Sequence, residues 1–278
     1  MDALRHVIVT GGSSGIGKAT ARRYYHAGAN VVLIARRQET LDAAREELSA
    51  TSQNAENKIL ALSADVSQVE SIEQAIAEAI ARFGPPDVLI NSAGIAQPGY
   101  FEDIQIQSFH DHMAVNYFGT LNAINAVLPA QMARGAGRIV LLSSGAGLMG
   151  VFGYTAYGAS KFAVRGLAEA LRSELRPKGI GVTIVYPPDT DTPQLSAENK
   201  IKPPETKLIS GAAKIWSADR VAEKIVHGVS RGWFVVAPGW EMSILARTHS
   251  ALRPVLDYYF DRQIEKLQTR EKSKRRDH

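Results

Sequence analysis

The chain has 278 residues, 45% of them hydrophobic, which is enough to bury one sizeable core, and we expect a single domain over 1–278. Cysteine is absent, which excludes disulfides and cysteine-ligated zinc and favours a reducing, cytoplasmic location. No run approaches the roughly 18 consecutive apolar residues that a membrane-spanning helix needs.

The net charge of +4 is concentrated at the C-terminus. Residues 262–278 carry seven basic and three acidic side chains, so the rest of the chain is neutral. A neutral body argues against a nucleic-acid-binding surface. The basic tail follows an aromatic-rich segment, 240–260, and three alternatives stay open for it: solvation, packing against another subunit, or peripheral contact with an anionic membrane.

Short β-rich runs alternate with segments of helical period. Strands are predicted at Val7–Thr10, Asn30–Ala35, Lys58–Leu62, Asp87–Asn91, Arg138–Ser143 and Gly181–Tyr186. Helices are predicted at Ile16–Ala27, Glu39–Leu48, Val69–Phe83 and Tyr154–Leu175. The strands are continuous apolar runs, as burial on both faces requires. The pattern predicts an α/β fold, with one doubly wound, Rossmann-type parallel sheet and helices on both faces.

The pattern breaks after Tyr186, and the proline-rich segment 187–216 predicts a structureless substrate loop. Its apolar residues suit either a lid over an acyl chain or ordinary packing. A helix at Ala218–Arg231, a strand at Trp233–Ala237 and a helical, basic extension over 240–278 complete the chain.

A glycine-rich turn, Thr10–Gly17, lies between the first strand and the first helix. Glycines let the backbone approach a pyrophosphate, and the helix N-terminus supplies positive potential. The spacing is Gly-x3-Gly-x-Gly, and an ordinary tight turn is the alternative interpretation. The candidate cofactor contacts in this turn are Gly11, Ser13, Ser14, Gly15, Ile16 and Gly17.

Arg36 and Arg37 follow the second strand, where NAD-preferring proteins usually place an acidic residue. Guanidinium groups can hold a ribose 2′-phosphate through forked hydrogen bonds, so we expect NADPH/NADP+ rather than NAD(H). Two further strand ends supply less specific cofactor candidates, namely Asp65 and Val66 after the third strand and Asn91, Ala93 and Gly94 after the fourth.

Tyr157 and Lys161 lie four residues apart in a predicted helix and therefore share one face. A tyrosine can donate a proton to a developing alkoxide, and a neighbouring ammonium stabilises the tyrosinate that results. A serine at the end of the fifth strand, Ser143 or Ser144, can polarise the carbonyl. The group predicts reduction of a ketone to a secondary alcohol.

Together, Thr10–Gly17, 91–94, Asn116, Ser144 and the Tyr157-x3-Lys161 pair make the chain resemble the short-chain dehydrogenase/reductase family. The resemblance implies that Ser144 orients the carbonyl, Tyr157 donates the proton, Lys161 binds the nicotinamide ribose and Asn116 supports a proton-relay water. It also implies a cofactor contact at Pro187 and a homo-oligomer, a dimer or tetramer.

The segment Tyr186–Pro193 and several later stretches resemble family members that reduce the C3 ketone of a long-chain 2-amino ketone. We expect Asp189 or Asp191 either to lie near the substrate ammonium or to cap a turn. A 3-oxoacyl thioester, steroid or small-ketone reductase and a catalytically silent NADP-binding sensor or scaffold are the alternatives. No residue pattern indicates a metal site, and His110 and His112 are expected on a solvent face.

Overall fold

A computed structural model describes residues 6–50, 58–210 and 214–276, with backbone alone over 270–276. Its strands are β1 (His6–Thr10), β2 (Asn30–Ala35), β3 (Ile59–Ser63), β4 (Val88–Asn91), β5 (Gly137–Leu142), β6 (Ile180–Val185), β7 (Thr190–Asp191), β8 (Trp216–Ser217) and β9 (Val235–Val236). Its α-helices are α1 (Gly15–His26), α2 (Gln38–Ala50), α3 (Val69–Phe83), α4 (Ile106–His112), α5 (Gly119–Arg134), α6 (Thr155–Leu175), α7 (Pro193–Ile201), α8 (Pro204–Ser210), α9 (Ala218–Ser230) and α10 (Trp240–Arg276).

The described residues form a seven-stranded parallel sheet in the order β3-β2-β1-β4-β5-β6-β9. The predicted fold class is confirmed, and the predicted strands and helices lie within about two residues of the observed ones. The chain adds β2 and β3 on one side of β1 and then adds β4, β5 and β6 on the other side. This change of side makes the boundary between β1 and β4 a topological switch point, and Thr10 pairs there with Asn91. In open α/β sheets, ligands bind outside the carboxyl ends of the strands at such a switch point.

The core consists of two layers, one on each face of the sheet. Along β1, Val7 and Val9 pack against α1, α2 and α9, whereas Ile8 packs on the opposite face against α3, α5 and α6. Successive strand residues point to opposite faces, so an unbroken apolar run is required when both faces are covered. The sheet therefore forms a rigid platform for the loops at its carboxyl ends.

The segment 187–216 differs from the structureless loop that we expected. Thr192 accepts a hydrogen bond from the Leu195 amide at 3.2 Å and starts α7, with Pro193 as the first helical residue. Helix α8 follows, and β7 pairs with β8 to close the segment. The missed signal was this Thr-Pro helix start.

The terminal helix α10 begins at Trp240 and packs against α8. None of the described helices combines the length and the hydropathy needed to cross a membrane. The side chains of the basic tail from residue 270 onward lie outside the described residues.

Gly135 and Gly179 provide a matched pair for testing a close backbone contact. Both have left-handed backbone, with φ of +67° and +76°. A Cβ at Gly179 would lie 2.1 Å from the Gly135 carbonyl oxygen, whereas a Cβ at Gly135 would meet nothing within 4 Å. We expect Gly135→Ala to lower the free energy of unfolding by about 1–2 kcal/mol, the cost of left-handed backbone alone.

We expect Gly179→Ala to cost at least about 1 kcal/mol more than Gly135→Ala, because its backbone must also move. Urea unfolding of both variants measures the difference. Equal losses would show that the close approach of residues 135 and 179 does not constrain the fold.

Candidate active site

A cavity of about 520 Å³ opens at the carboxyl ends of the parallel strands. It extends from the glycine turn past the ends of β2, β3 and β4 to α6 and the segment after β6. The predicted site residues that line it are Gly11, Ser13, Ser14, Gly15, Ile16, Arg36, Arg37, Asp65, Val66, Ala93, Gly94, Ser144, Tyr157, Lys161 and Pro187. One cavity therefore brings together most of the residues that the sequence predicted for cofactor binding and for catalysis.

Gly11 and Gly17 shape the turn between β1 and α1. A Cβ at Gly17 would lie 2.3 Å from the Gly11 carbonyl oxygen, and one at Gly11 would lie 2.7 Å from the Ala93 amide nitrogen. Gly11 also has φ of +66°, which other residues rarely adopt. Gly17 thus acts in packing the turn and is not among the residues that line the cavity.

The N-terminus of α1 faces this cavity without a side-chain cap. Ser14 occupies the capping position in extended backbone, its side chain makes no capping hydrogen bond, and the first turn contains no acidic residue. The first amide groups of a helix have no carbonyl partners within it, and they carry the positive end of the helix dipole. The turn therefore fits a pyrophosphate group.

Arg36 and Arg37 are exposed at the end of β2 and line the same cavity. No acidic side chain stands between β2 and Gln38, the first residue of α2. Two guanidinium groups at this position fit a ribose 2′-phosphate, which a carboxylate would repel. The residues present are consistent with NADP(H).

Asp65 and Val66 line the cavity just after the end of β3. The Asp65 carboxylate accepts hydrogen bonds from the Ser67 amide at 2.9 Å and the Ser67 hydroxyl at 2.7 Å. The Val66 carbonyl accepts a hydrogen bond from Asn122 Nδ2 at 3.0 Å. Both residues are held in place by neighbours while still lining the cavity.

Asn91 and Asn116 are buried and do not line the cavity. Asn91 Nδ2 donates to the Val140 carbonyl at 3.3 Å, tying β4 to β5. Asn116 lies in a π-helical turn, Met113–Phe118, where its Nδ2 donates to the Ile95 carbonyl at 3.0 Å and its Oδ1 accepts from the Ile95 amide at 2.8 Å. These contacts hold the segment after Gly94, and the proton-relay role of Asn116 stays a prediction.

Ser143 and Ser144 have separate partners at the end of β5. Ser144 shares a side-chain hydrogen bond with Tyr157 and also accepts one from the Ala146 amide at 3.2 Å. The Ser143 hydroxyl is buried and donates to the Lys161 carbonyl at 3.0 Å. The geometry therefore pairs Ser144, rather than Ser143, with the tyrosine.

Lys161 is buried beside Tyr157, one helical turn away. Its Nζ donates to the Leu142 carbonyl at 2.9 Å and lies 5.6 Å from the centroid of the Tyr157 ring. Burial lowers the pKa of Lys161 to about 8. A Cβ at Gly94 would lie 3.2 Å from Asn116 Oδ1, so the glycine eases the close approach of the backbone to Asn116.

Burial raises the pKa of the Tyr157 phenol, the hydrogen bond with Ser144 lowers it, and the negative charges of Glu198 and Asp189 raise it further. The net direction is opposite to the one expected from Lys161 alone, because desolvation dominates. Tyr157 is therefore held in its protonated form, which is the form that can donate a proton.

Sequence reasoning missed a group of three residues near Tyr157, namely Tyr154, Glu198 and Lys202. The Tyr154 hydroxyl donates to Glu198 Oε2, and Lys202 Nζ lies 3.9 Å from the same oxygen. Glu198 and Lys202 are both buried. Their spacing of four residues after the Thr192-Pro193 start was the signal that could have revealed a helical ion pair.

One part of the cavity wall is apolar. Leu195, Ile209 and Trp216 of the segment 187–216 line it, whereas Ile201, Leu208 and Ile215 are exposed. Helix α10, whose role the sequence left open, supplies Met242, Leu245 and Phe260. The terminal helix therefore covers part of the cavity.

His112 does not lie on a solvent face, and that prediction was wrong, whereas His110 is exposed. His112 Nδ1 is 2.6 Å from the Ser108 carbonyl oxygen, and its Nε2 accepts from the Gln97 amide at 3.1 Å. Its ring centroid is 6.4 Å from that of Tyr157. The helical spacing of α4 turns position 112 inward, toward α6.

Residues 5–202 match the family model described as short chain dehydrogenase. The 3-ketodihydrosphingosine reductase of Mus musculus is 44% identical over 251 residues, covering 90% of this chain and 76% of the relative. The 3-ketodihydrosphingosine reductase of Dictyostelium discoideum is 39% identical over 273 residues, covering 92% and 81%.

Among solved structures, a short-chain dehydrogenase from Sphingobium yanoikuyae in complex with NADPH superposes with a TM-score of 0.77 and 28% identity, covering 92% of this chain and 96% of that one. Levodione reductase superposes with a TM-score of 0.76 and 26% identity, covering 84% and 94%. The matched sequence includes the glycine turn, Ser144, Tyr157 and Lys161. The chain belongs to the short-chain dehydrogenase family.

Proposed function

We propose that this chain reduces the C3 ketone of 3-ketodihydrosphingosine, a long-chain 2-amino ketone, to the sphinganine alcohol with NADPH. The observation that carries the reaction type is the Ser144–Tyr157 hydrogen bond beside the buried Lys161, in one cavity with the glycine turn. The substrate is supported by relatives at 39–44% identity that are named for it.

The chain's own residues fit the cofactor at both ends of the cavity. The uncapped start of α1 would hold the pyrophosphate, and Arg36 and Arg37 would hold the 2′-phosphate. Lys161 and Pro187 line the part of the cavity beside Tyr157, where the nicotinamide half belongs. When bound, NADPH supplies the hydride that reduces the carbonyl carbon.

The phenol of Tyr157 donates the proton that completes the alcohol. Burial keeps this phenol protonated, and the Ser144 hydroxyl is placed to bind the same carbonyl oxygen. As the proton leaves, the Lys161 ammonium stabilises the tyrosinate that remains. A hydride to carbon and a proton to oxygen account for the whole reduction.

The apolar part of the wall supports a long-chain substrate. Helix α10 contributes Met242, Leu245 and Phe260 to the cavity that also contains Ser144 and Tyr157. Burying an alkyl chain contributes about 0.8 kcal/mol for each CH₂ group that leaves water. A small ketone would leave this surface uncovered.

Membrane contact and self-association stay predictions. Four large side chains of α10, Trp240, Val255, Tyr258 and Tyr259, are more than half exposed. Exposed aromatic residues next to basic ones support peripheral attachment to an anionic bilayer, and they equally suit packing against a second copy of the chain.

Replacing Tyr157 tests the reaction directly. We expect the wild type to oxidise NADPH when 3-ketodihydrosphingosine is added, and Tyr157→Phe to lower kcat by about 10³-fold because the proton donor is lost. Loss of absorbance at the nicotinamide band measures the rate, and quenching of protein fluorescence checks that NADPH still binds. A panel with a 3-oxoacyl thioester, a steroid ketone and a small ketone compares the alternatives. NADPH binding without turnover on any of them would favour the sensor or scaffold.

Replacing both arginines tests the cofactor preference. We expect Arg36→Ala/Arg37→Ala to raise the KM for NADPH by about 10- to 100-fold, because hydrogen bonds to the 2′-phosphate are charge-assisted, while the KM for NADH changes little. Arg45→Ala is the matched control, since Arg45 is exposed on α2, pairs with Asp42 and does not line the cavity. An equal rise for both cofactors would remove the arginines from 2′-phosphate recognition.

The burial of Lys161 predicts a pH dependence. Because its pKa is lowered to about 8, the ammonium is present below that pH and lost above it. We expect kcat/KM for reduction to fall as the pH rises through about 8, since the tyrosinate then loses its positive neighbour. Profiles for the wild type and for the much slower Lys161→Met, which lacks the titrating amine, check this. A wild-type rate that stays level up to about pH 10 would contradict the assignment.

A further inference from the structure

We propose that Glu198, together with Asp189, determines substrate specificity by binding the ammonium group that neighbours the ketone. The inference rests on the proposed function, because a 2-amino ketone carries that group and the alternative ketone substrates do not. In this assignment the two carboxylates recognise the substrate, while Ser144 and Tyr157 act on its carbonyl.

Glu198 is a buried carboxylate in the wall of the cavity. It lies on α7, is 7% exposed and lines the cavity that contains Tyr157. The Tyr154 hydroxyl and Gln194 Nε2 donate hydrogen bonds to its two oxygens, the latter at 2.9 Å. The ring centroids of Tyr154 and Tyr157 are 5.5 Å apart. A carboxylate is thus held in a fixed orientation next to the proton donor.

The charges of Glu198, Asp189 and Lys202 do not balance. Glu198 and Asp189 bring two carboxylates to this part of the cavity, and Lys202, at 3.9 Å from Glu198, brings one ammonium. Among the described residues, Asp189 has no salt bridge and its carboxylate accepts no hydrogen bond, and burial raises its pKa. One more cation would balance the group, and a buried charge without a partner is costly.

A 2-amino ketone carries its ammonium group close to its carbonyl. Its nitrogen is attached to the carbon next to the carbonyl, so a ketone oxygen bound by Ser144 and Tyr157 keeps the ammonium close to the phenol. Both Glu198 and Asp189 act electrostatically on that phenol and raise its pKa. An ammonium in this position therefore lies within the field of both carboxylates.

The contribution of Asp191 is excluded by the same geometry. Its neighbour Thr190 is buried, whereas Asp191 is exposed on β7 and does not line the cavity. Of the two aspartates that the sequence offered, Asp189 thus faces the substrate. Asp191 gives a control at nearly the same place in the chain.

The arrangement also predicts rejection of uncharged ketones. A substrate without the amine displaces water from Glu198 and Asp189 and provides no replacement for it. Specificity of this kind comes as much from the penalty on the wrong substrate as from attraction of the right one. Lys202 limits the cost of two neighbouring carboxylates while the site holds no substrate.

The test compares 3-ketodihydrosphingosine with its des-amino analogue of equal chain length, with NADPH present. We expect Glu198→Gln and Asp189→Asn each to lower kcat/KM for the amino ketone by about 10- to 100-fold, mainly through KM, because a hydrogen-bonded charge pair is lost. The kcat/KM for the des-amino ketone should not fall, and it should rise where the substitution removes the desolvation penalty on an uncharged substrate. Asp191→Asn should leave both substrates unchanged.

Inhibition by dodecylammonium and by dodecanol gives a readout that does not depend on turnover of the amino ketone. The inhibition constant of the ammonium should rise about tenfold in Glu198→Gln, while that of the alcohol stays the same. If the wild type does not reduce the amino ketone at all, the proposed substrate is wrong, and this arm still decides whether Glu198 binds an ammonium.

Thermal unfolding with bound NADPH distinguishes a purely structural role. Equal losses on the two ketones, together with a lowered Tm, would mean that Glu198 merely holds α7 through Lys202, and the proposal would be overturned. Unchanged kinetics on both ketones would overturn it as well. Because no salt bridge joins Asp189 to another residue that the structure describes, its variant tests the proposal even if Glu198→Gln fails to fold.

Discussion

Two hydrogen bonds between Lys161 and the end of β5 fix the geometry on which the active site depends. Lys161 Nζ donates to the Leu142 carbonyl at 2.9 Å, and the Ser143 hydroxyl donates to the Lys161 carbonyl at 3.0 Å. These bonds hold α6 against the strand end, so Ser144 meets Tyr157 one helical turn before the lysine. Both bonds are buried, where an unmade hydrogen bond costs about 1–3 kcal/mol, so the pairing of strand and helix is strongly specified.

The same burial sets the electrostatics of the cavity. It raises the pKa of Tyr157 and lowers that of Lys161, so burial favours the neutral form of both groups. A neutral phenol suits a proton donor, and a lysine that titrates near pH 8 stays responsive to the charges around it. Glu198, Asp189 and Lys202 then add charge on the substrate side. The cavity thus combines a desolvated catalytic group with an ionic group that, in our proposal, binds the substrate ammonium.

The segments beyond the sheet determine what this cavity can accept. Helix α7 brings Glu198 next to Tyr154, and α10 covers the apolar part with Met242, Leu245 and Phe260. The parallel sheet supplies the common platform, and relatives of the family can differ in these covering segments without changing it. Substrate choice in this chain is therefore attributed to 187–216 and to the terminal helix.

The sequence alone determined the sheet, the glycine turn, the Arg36-Arg37 pair and the Tyr157-x3-Lys161 spacing, because each depends on local periodicity or on neighbours a few residues apart. It preferred Ser144 to Ser143 only through the family resemblance, it left the choice between Asp189 and Asp191 open, and it placed His112 on the wrong face. It also missed the contact of Glu198 with Tyr154 and the cavity face of α10. Those features depend on which side chains meet across distant segments. The direction of the pKa shift of Tyr157 also depends on the tertiary structure. Desolvation is set by all the residues that pack around the phenol, and the spacing of residues along the chain does not reveal it.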